Sequence, residues 1–168
     1  MHKTNVEIMN KILFALFLFL SGLCNAQTGF KLKISGEVEH PLELSLSDLA
    51  GMPRKEAVLK DKEGKPFTYS GVPLPEILAK AGIPSGKEVH GANLSKYLLV
   101  RCTDGYRVLF SLAELDLSVT DKNVIIADKI NGEPLFESRG PLRLVVEGEK
   151  KPARSCYQVT ELIVGSVK

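Results

Sequence analysis

Apolar and polar residues alternate along most of the chain, in short segments that end at Gly, Pro, Asn or Asp. Phe30, Leu32 and Ile34 alternate with lysine and serine residues, as the residues of a half-buried strand do. Asp-Gly and Asn-Gly dipeptides, which favour tight turns, separate several of these segments. The pattern predicts strands at 30–34, 42–46, 57–59, 66–69, 96–102, 106–110, 124–127, 142–146 and 159–164.

Helical signals are few and short. One helix is predicted to begin at Pro75, because proline suits the first helical turn, and to end at Gly82. Shorter helical turns are predicted to start at Ser47 and at Ser111, where Ser111 and Glu114 fit the capping-box pattern. No spacing repeats along the chain. The fold class expected is therefore α+β: a single mixed, strand-rich domain with a few short helices and no internal linker.

The N-terminus has the pattern of a secretory signal peptide. Lys3 and Lys11 precede an apolar run at 12–20, and small residues follow up to Ala26. A membrane anchor is the alternative, but the run is shorter than the roughly 20 apolar residues that cross a bilayer. We therefore expect a signal peptide at 1–26 with cleavage after Ala26, a domain at 27–168, and a periplasmic or secreted mature protein.

Composition narrows the class of partner. Loss of the predicted signal would leave 142 residues, which suits one domain with a sizeable core. Because Lys3, Lys11 and Glu7 would leave with it, the net charge would be near +1, which gives no overall attraction to nucleic acid. No later apolar run is long enough for a span. We therefore expect neither nucleic-acid binding nor a membrane span in the mature chain.

Two cysteines, Cys102 and Cys156, lie beyond the predicted signal. Each is in an apolar, strand-like stretch, which favours two buried free thiols that pack as small hydrophobic side chains. A Cys102–Cys156 disulfide is an alternative in an exported protein if the two Cα atoms lie within about 7 Å, and paired metal ligation is a third. His40 and His90 do not stand at ligand spacing and are predicted to lie on the surface, so no metal site is assigned.

Several short motifs follow one another in a characteristic order. Gly-Glu-Val, Leu-Ser-Asp-Leu and Tyr69-Ser-Gly-Val-Pro-Leu stand in the first half; an Asp104-Gly-Tyr turn, Leu-Ala-Glu-Leu, Asn-Gly-Glu-Pro-Leu and Gly140-Pro-Leu-Arg stand in the second. In this order they resemble the sulfite-oxidase-type oxidoreductase molybdopterin-binding domain family, in particular its compact, stand-alone exported members. The resemblance spans about residues 31–164. It implies the fold of that family and a molybdopterin-dependent oxidoreductase activity.

One residue that the resemblance implies is absent. In larger members of the family, a cysteine after the strand equivalent to 57–60 supplies the thiolate that binds molybdenum, whereas residues 58–67 here contain no cysteine. Lys60 and Lys62 would present cations to a metal that prefers thiolate ligands. Cys102 lies in a different strand and is not the equivalent residue. The sequence therefore leaves open whether this chain is an enzyme and whether it holds molybdopterin, the cofactor that the family implies.

Three functions fit these observations. A degenerate pterin- or anion-binding module, which keeps the fold without the metal ligand, is the favoured one. The alternatives are a periplasmic molybdopterin-dependent oxidoreductase and a partner-binding subunit of the cell envelope. No catalytic residue is assigned, because no serine or histidine stands in a hydrolase-type setting. Asp104 and Tyr106 are predicted to be a turn former and a core aromatic residue.

Basic residues supply the candidate binding site. The planar, forked guanidinium of arginine suits the phosphate or carboxylate groups of a pterin or another small anion. Arg143 alternates with Leu142 and Leu144 and is therefore predicted to point away from them, toward a cleft. A solvated face paired with Glu147 and Glu149, or a protein-partner surface, is the alternative. The residues predicted to bind the cofactor or anion are Arg101, Arg139, Arg143, Lys150, Lys151 and Arg154.

Overall fold

The structure, a computed structural model, describes residues 29–61 and 63–167. The predicted signal peptide, its cleavage point and Lys62 lie outside the described residues. The strands are β1 (Lys31–Gly36), β2 (Leu42–Ser45), β3 (Lys55–Lys60), β4 (Pro66–Pro73), β5 (Lys96–Cys102), β6 (Arg107–Ser111), β7 (Val124–Ile130), β8 (Glu133–Pro134), β9 (Arg143–Val146) and β10 (Val159–Ser166). The α-helices are α1 (Leu46–Ala50) and α2 (Leu74–Lys80), and 3₁₀ turns span Gly86–Glu88, Gly91–Ser95, Ala113–Leu115 and Pro152–Arg154.

The first sheet has the strand order β2-β1-β10-β5-β6. β1 runs parallel to β10, and all other neighbours in this sheet are antiparallel. Leu32, Leu98 and Leu162 lie on three adjacent strands and are fully buried. Because such residues alternate with polar or half-exposed ones, the sheet has one strongly apolar face, and that face covers the main core.

The second sheet has the order β3-β4-β7, and the far edge of β7 pairs with β9 along its first half and with β8 along its second. Its inner face joins the main core, together with the first sheet and α2. Because β7 is covered on both faces, residues 124–127 are four consecutive buried residues. The outer face carries a second, smaller apolar cluster made of Ala57, Leu59, Tyr69, Ile125, Ala127 and Val145.

The strand-rich α+β fold expected from the sequence is confirmed, with differences at the helix starts. α2 begins one residue before Pro75, and Gly82, just after it, has a φ of 76° that other residues rarely adopt. The cap of α1 is Ser45 rather than Ser47, because the Ser45 and Asp48 side chains bond each other's backbone N–H. At Ser111 the backbone N–H donates to Glu114 as predicted, but only a single 3₁₀ turn follows.

The cysteines and histidines lie where the sequence placed them. Cys102 and Cys156 are both buried and free, and His40 and His90 are exposed. Across residues 29–61 and 63–167, no three His, Cys, Asp or Glu side chains are grouped so that they could hold a metal ion. Within the same ranges, no helix is both long and apolar enough to cross a membrane.

Candidate functional site

A cleft of about 560 Å³ opens over the outer face of the second sheet. Leu59 and Tyr69, which belong to the small apolar cluster, are among the residues that line it. Its walls come from the end of β3, from the loop between β8 and β9, and from the segment between the last 3₁₀ turn and β10. We call this space the cleft, and its position over a partly covered apolar face makes it the candidate site.

Arg143 lies in the cleft lining, where the alternation in β9 predicted it. The side chain is only 6% exposed, and its guanidinium carbon lies 4.6 Å from the ring centroid of Tyr69 and 3.9 Å from that of Tyr157. Nη1 donates to the Tyr69 hydroxyl, and Nε and Nη2 donate to the Ser155 carbonyl at 3.4 and 3.3 Å. No carboxylate is among these contacts. The positive charge is therefore held by π faces and a carbonyl dipole and is not neutralised.

Tyr69 is the buried partner in this stack. Burial raises the pKa of the Tyr69 phenol above its ordinary value of 10.0, while the Arg143 charge acts in the opposite direction. The phenol therefore stays protonated near neutral pH, and its hydroxyl oxygen accepts from Arg143. Tyr69, Arg143 and Tyr157 are in mutual contact through Arg143, and we call this group the tyrosine–arginine stack.

The rim of the cleft is more open than the stack. Arg139 is exposed, and its guanidinium carbon lies 5.3 Å from the ring centroid of Tyr157, on which Arg143 also stacks. Phe136 is 70% exposed, and its carbonyl accepts from the backbone N–H groups of Arg139 and Gly140 at 2.8 Å. This turn therefore contributes an exposed cation and an exposed apolar ring to the lining of the cleft. Both are accessible to a ligand.

The end of β3 borders the cleft with charged residues. Lys60 is exposed and lines the space, followed by Asp61. The Asp61 carboxylate accepts from the backbone N–H groups of Glu63 and Lys65 at 3.0 and 2.8 Å, and so closes the hairpin loop between β3 and β4. Lys60 thus presents an ammonium group where the resemblance implies a metal-binding thiolate.

The comparisons with known proteins identify the domain. The family model described as the oxidoreductase molybdopterin binding domain matches residues 60–164, which contain nearly all of the cleft. The chain belongs to this family. The crystal structure of the sulfane dehydrogenase SoxCD from Paracoccus pantotrophus is similar, with a TM-score of 0.60 and 25% sequence identity over 82% of this chain and 39% of that one. This molybdopterin-binding-type chain therefore spans about two fifths of that relative, and no curated protein matches it.

The domain brings only some of the predicted binding residues to the cleft. Arg139 and Arg143 both line it. Lys150 and Lys151 line an adjoining cavity of about 990 Å³, which shares Lys60 with the cleft. The two arginines therefore lie together in the cleft lining and the two lysines line the neighbouring cavity, while binding by any of the four stays a prediction.

Arg154 and Arg101 lie elsewhere and are engaged in ion pairs. Arg154 pairs with Glu149 and Glu114, and its guanidinium carbon lies 4.5 Å from the ring centroid of Phe110. Burial would lower the pKa of Arg154, but the two glutamates outweigh it and raise the pKa. Arg101 lies on the first sheet and pairs with Glu161 at 3.1 Å. Neither residue lines the cleft, and both charges are engaged in ion pairs within the domain.

Tyr106 corrects the sequence interpretation in a different way. It was expected to be a core aromatic residue, but it is 48% exposed. Its hydroxyl donates to the Ala153 carbonyl at 2.9 Å and so anchors the 3₁₀ turn whose first residue, Pro152, lines the cleft. Asp104 is the turn former that was predicted, because its carboxylate accepts from the Tyr106 N–H at 2.9 Å. The Asp-Gly-Tyr motif thus supports the cleft from outside it.

The sequence pattern did not point to the aromatic half of the site. Tyr69, Tyr157 and Phe136 all line the cleft, and none was selected as a binding residue. The only available signal was Tyr69 in the Tyr-Ser-Gly-Val motif, and it gave no indication of its side-chain partner, which is 74 residues away in the chain. The pairing depends on β4 and β9 flanking the same strand, β7.

The cleft does not offer the donor set that molybdenum needs. Within the described residues, its lining contains no cysteine, and Cys102 and Cys156 lie in the main core. A soft thiolate is the ligand type expected for this metal, and the Lys60 ammonium would repel it unless deprotonated. The aromatic rings and guanidinium groups are suited instead to a flat organic group that carries negative charge.

Proposed function

We propose that this protein is an exported, metal-free member of its family that binds a pterin or another small organic anion in the cleft. The observation that carries the proposal is the tyrosine–arginine stack: a buried guanidinium faces the cleft with no carboxylate partner. A buried cation without a counter-ion favours an anion at the nearest accessible position. A ligand that supplies this charge would complete the site.

The charges around the cleft support an anionic ligand. Arg139, Arg143 and Lys60 are the lining cations, and none of the three pairs with a carboxylate of the described residues. The opposing carboxylates are Asp61 and Glu63, and Asp61 is already bonded to loop amides. The accessible positive charge at the rim is therefore that of Arg139 and Lys60, with Arg143 beneath them.

The aromatic residues support a planar ligand. The exposed Phe136 and the half-buried Tyr157 both line the cleft, and the ring of Phe136 is the more accessible of the two. Offset stacking on such rings contributes about 0.5–1.5 kcal/mol beyond the area that it buries. A pterin with an anionic side chain satisfies both requirements, because its ring can stack while its charged group meets the cations.

Ligand binding and metal content test this proposal together. Protein exported by a host that makes molybdopterin is expected to contain no stoichiometric molybdenum, and a pterin phosphate is expected to raise its melting temperature. Arg139→Ala should weaken binding about tenfold or more, since a charge-assisted contact contributes roughly 1.5–3 kcal/mol. The matched control is Arg107→Ala, because Arg107 is an exposed arginine on β6 of the first sheet and does not line the cleft. One molybdenum per chain would overturn the proposal.

A molybdopterin-dependent oxidoreductase is the second candidate. The family match and the likeness to the SoxCD sulfane dehydrogenase favour it. It requires the metal to be held without a cysteine in the cleft. The same metal analysis decides between the two, because this candidate predicts bound molybdenum and the binding module predicts none.

Export can be tested separately from ligand binding. The proposed signal peptide predicts that the mature chain begins at Gln27 and is found outside the cytoplasm. N-terminal sequencing of protein recovered from the periplasm or the medium checks the cleavage point. An unprocessed chain confined to the cytoplasm would contradict the export proposal and leave the binding proposal in place.

A further inference from the structure

β3 is the end strand of the second sheet, and its outer edge faces a cavity. On one side β3 pairs with β4. On the other side lies the cavity of about 990 Å³, which is lined by Val58, Leu59 and Lys60 and by the segment 147–153 that leaves β9. The cavity is therefore a groove between the edge of a sheet and a loop, and we call it the edge groove.

The strand register shows which backbone groups of β3 face the edge groove. Val58 lies opposite Thr68 of β4. The Thr68 N–H donates to the Asn131 side chain and its carbonyl accepts from the Asn131 N–H, both on the far side of β4. Val58 and Thr68 are therefore a pair without hydrogen bonds between them, so Val58 turns its N–H and carbonyl away from β4. Lys60, two residues further along β3, does the same.

Side chains close one end of this edge and leave the other end open. The Val58 N–H donates to the Glu147 carboxylate at 2.8 Å, and the Asn123 amide donates to the Glu56 carbonyl at 2.8 Å. Among the described residues, no hydrogen bond reaches the Val58 carbonyl or the Lys60 N–H. An acceptor and a donor two residues apart on one strand edge are the groups that an incoming strand bonds.

The accessible charge in the edge groove is positive. Lys60, Lys150 and Lys151 are exposed and line it, and none of the three pairs with a carboxylate of the described residues. The carboxylates in the same lining are already engaged: Glu147 by the β3 edge, and Glu149 by an arginine of the last 3₁₀ turn. An occupant that carries carboxylate side chains therefore complements three ammonium groups.

We propose that the edge groove docks an extended, acidic segment of a partner protein, which adds to β3 as a further strand. The backbone of the segment bonds the Val58 carbonyl and the Lys60 N–H, and its glutamate or aspartate side chains meet the three lysines. Strand addition takes its affinity from main-chain bonds and its specificity from the side chains. This docking is independent of the ligand that occupies the cleft.

A peptide fits the edge groove better than a small anion does. A small anion meets the ammonium groups but brings no donor for the Val58 carbonyl, whereas each peptide unit brings an N–H and a carbonyl. The Val58 side chain is 39% exposed, and Pro152 and Ala153 line the opposite wall. Apolar side chains that alternate with acidic ones along the segment therefore also find contacts.

Amide hydrogen exchange tests strand addition directly. The probe is a synthetic hexapeptide of alternating glutamate and valine, capped at both ends. At saturation it should slow exchange of the Lys60 N–H about tenfold or more, because this group would pass from water into a sheet hydrogen bond. A hexapeptide of alternating lysine and valine is the matched control and should leave the rate unchanged. Equal slowing by both peptides, or none by the glutamate peptide, would overturn the proposal.

Two substitutions at one position separate the backbone bond from the charge. Lys60→Ala and Lys60→Pro both remove the ammonium group, but only proline also removes the N–H, and an edge strand tolerates proline. Lys60→Pro should bind the glutamate peptide about fivefold more weakly than Lys60→Ala, the loss expected for one hydrogen bond. Equal affinities would show that charge alone holds the peptide and would contradict strand addition.

The same comparison can be made on the wild-type protein, where folding of a variant plays no part. Two versions of the glutamate peptide are N-methylated, one at its glutamates and the other at its valines. Since alternate residues of a strand turn their N–H groups to opposite sides, only the version methylated at the residues that face β3 should bind more weakly. Equal affinities of the two versions would count against a main-chain bond to β3.

The opposite wall is tested through its lysines. Replacing both Lys150 and Lys151 by alanine should weaken binding of the glutamate peptide about fivefold, the loss expected for two exposed ion pairs. Lys33→Ala, which removes an exposed lysine from β1 of the first sheet, is the matched control and should not change the affinity. An equal effect of the two changes would remove the loop from the docking surface.

Two further measurements decide between the proposed occupant and others. If the wild type alone forms a dimer in sedimentation, and dimer formation slows exchange of the Lys60 N–H, the groove binds a second copy of this chain and the proposal is wrong. If inorganic phosphate binds as tightly as the glutamate peptide, the groove is a small-anion site and the proposal is also wrong. A monomer that binds the glutamate peptide in preference to phosphate supports the docking of an acidic strand.

Discussion

The two faces of the second sheet carry different chemistry on the same strands. In β9, Leu144 and Val146 point to the main core, whereas Arg143 and Val145 belong to the outer face. In β7, Ile126 belongs to the main core and Ile125 to the cluster on the outer face. The residues that the inner face contributes to the main core are apolar, and the outer face carries a small apolar cluster next to the tyrosines and the arginine of the cleft.

The difference follows from how each face is covered. The first sheet and α2 close the inner face, so a polar group there would have no water and no partner. The cleft opens over the outer face, where the Arg143 guanidinium is satisfied by two rings and a carbonyl. In β9, the even-numbered residues Leu144 and Val146 therefore pack in the main core, whereas the odd-numbered Arg143 lines the cleft.

The largest expected effect is the loss of a side chain from the inner face. Leu144→Ala should lower the free energy of unfolding by about 3–4 kcal/mol, because Leu144 is fully buried and its removal leaves a cavity in the main core. Chemical denaturation of both proteins measures the change. The matched control is Leu109→Ala, which alters a leucine that is 57% exposed on β6 and should change stability by less than about 0.5 kcal/mol. Equal losses for the two variants would contradict this account of the core.

The first sheet, which covers the inner face of the second, is the part that the sequence could predict. The period of two in β1, β5 and β10 follows directly from burial of one face, so these strands were found within one or two residues. Arg143 was selected for the same reason, since it interrupts an apolar strand. Local pattern carries no information about which loop lies over which strand, so Tyr69 and Tyr157 could not be joined to it. Arg101 pairs with Glu161, 60 positions away, and Arg154 pairs with Glu114, 40 positions away, so these two ion pairs could not be read from the sequence. Glu149, the second partner of Arg154, lies only five positions away and had been named as a possible partner of the basic residues.

The outer face can be altered with the opposite result. Arg143→Met should weaken binding of a pterin phosphate at least tenfold, since it removes the buried positive charge from the cleft. Its effect on stability should be within about 1–2 kcal/mol, because methionine fills much of the same volume and a buried charge contributes little net stability. Calorimetric titration and denaturation of the same preparations give both numbers. A loss of stability as large as that of Leu144→Ala, with binding retained, would reverse the assignment of the two faces.

A smaller effect is expected from the support outside the cleft. Tyr106→Phe removes only the hydroxyl that donates to the Ala153 carbonyl, and should weaken ligand binding about threefold while changing stability by roughly 1 kcal/mol. Tyr97→Phe is the matched control, because Tyr97 lies on the first sheet with its ring over Gly165, away from the cleft. If the two variants bind ligand equally, the bond from Tyr106 to Ala153 does not position the wall of the cleft.

The smallest expected effect is a pH dependence in the stability of the cleft wall. Burial alone would raise the pKa of Glu114, but its bonds to Lys122 and Arg154 outweigh burial, so the pKa lies below its ordinary value of 4.5. A carboxylate with a lowered pKa in the folded state adds stability that is fully present above about pH 4.5 and is lost as the pH falls through the folded value. Because Arg154 belongs to the 3₁₀ turn at the wall of the cleft, acidification should loosen this wall before the main core.

Limited proteolysis between pH 7 and pH 3 should show earlier cleavage near residues 147–154 than elsewhere, and Glu114→Gln should make that cleavage less dependent on pH. Simultaneous loss of protection in both regions would mean that the two faces of the sheet unfold as one unit.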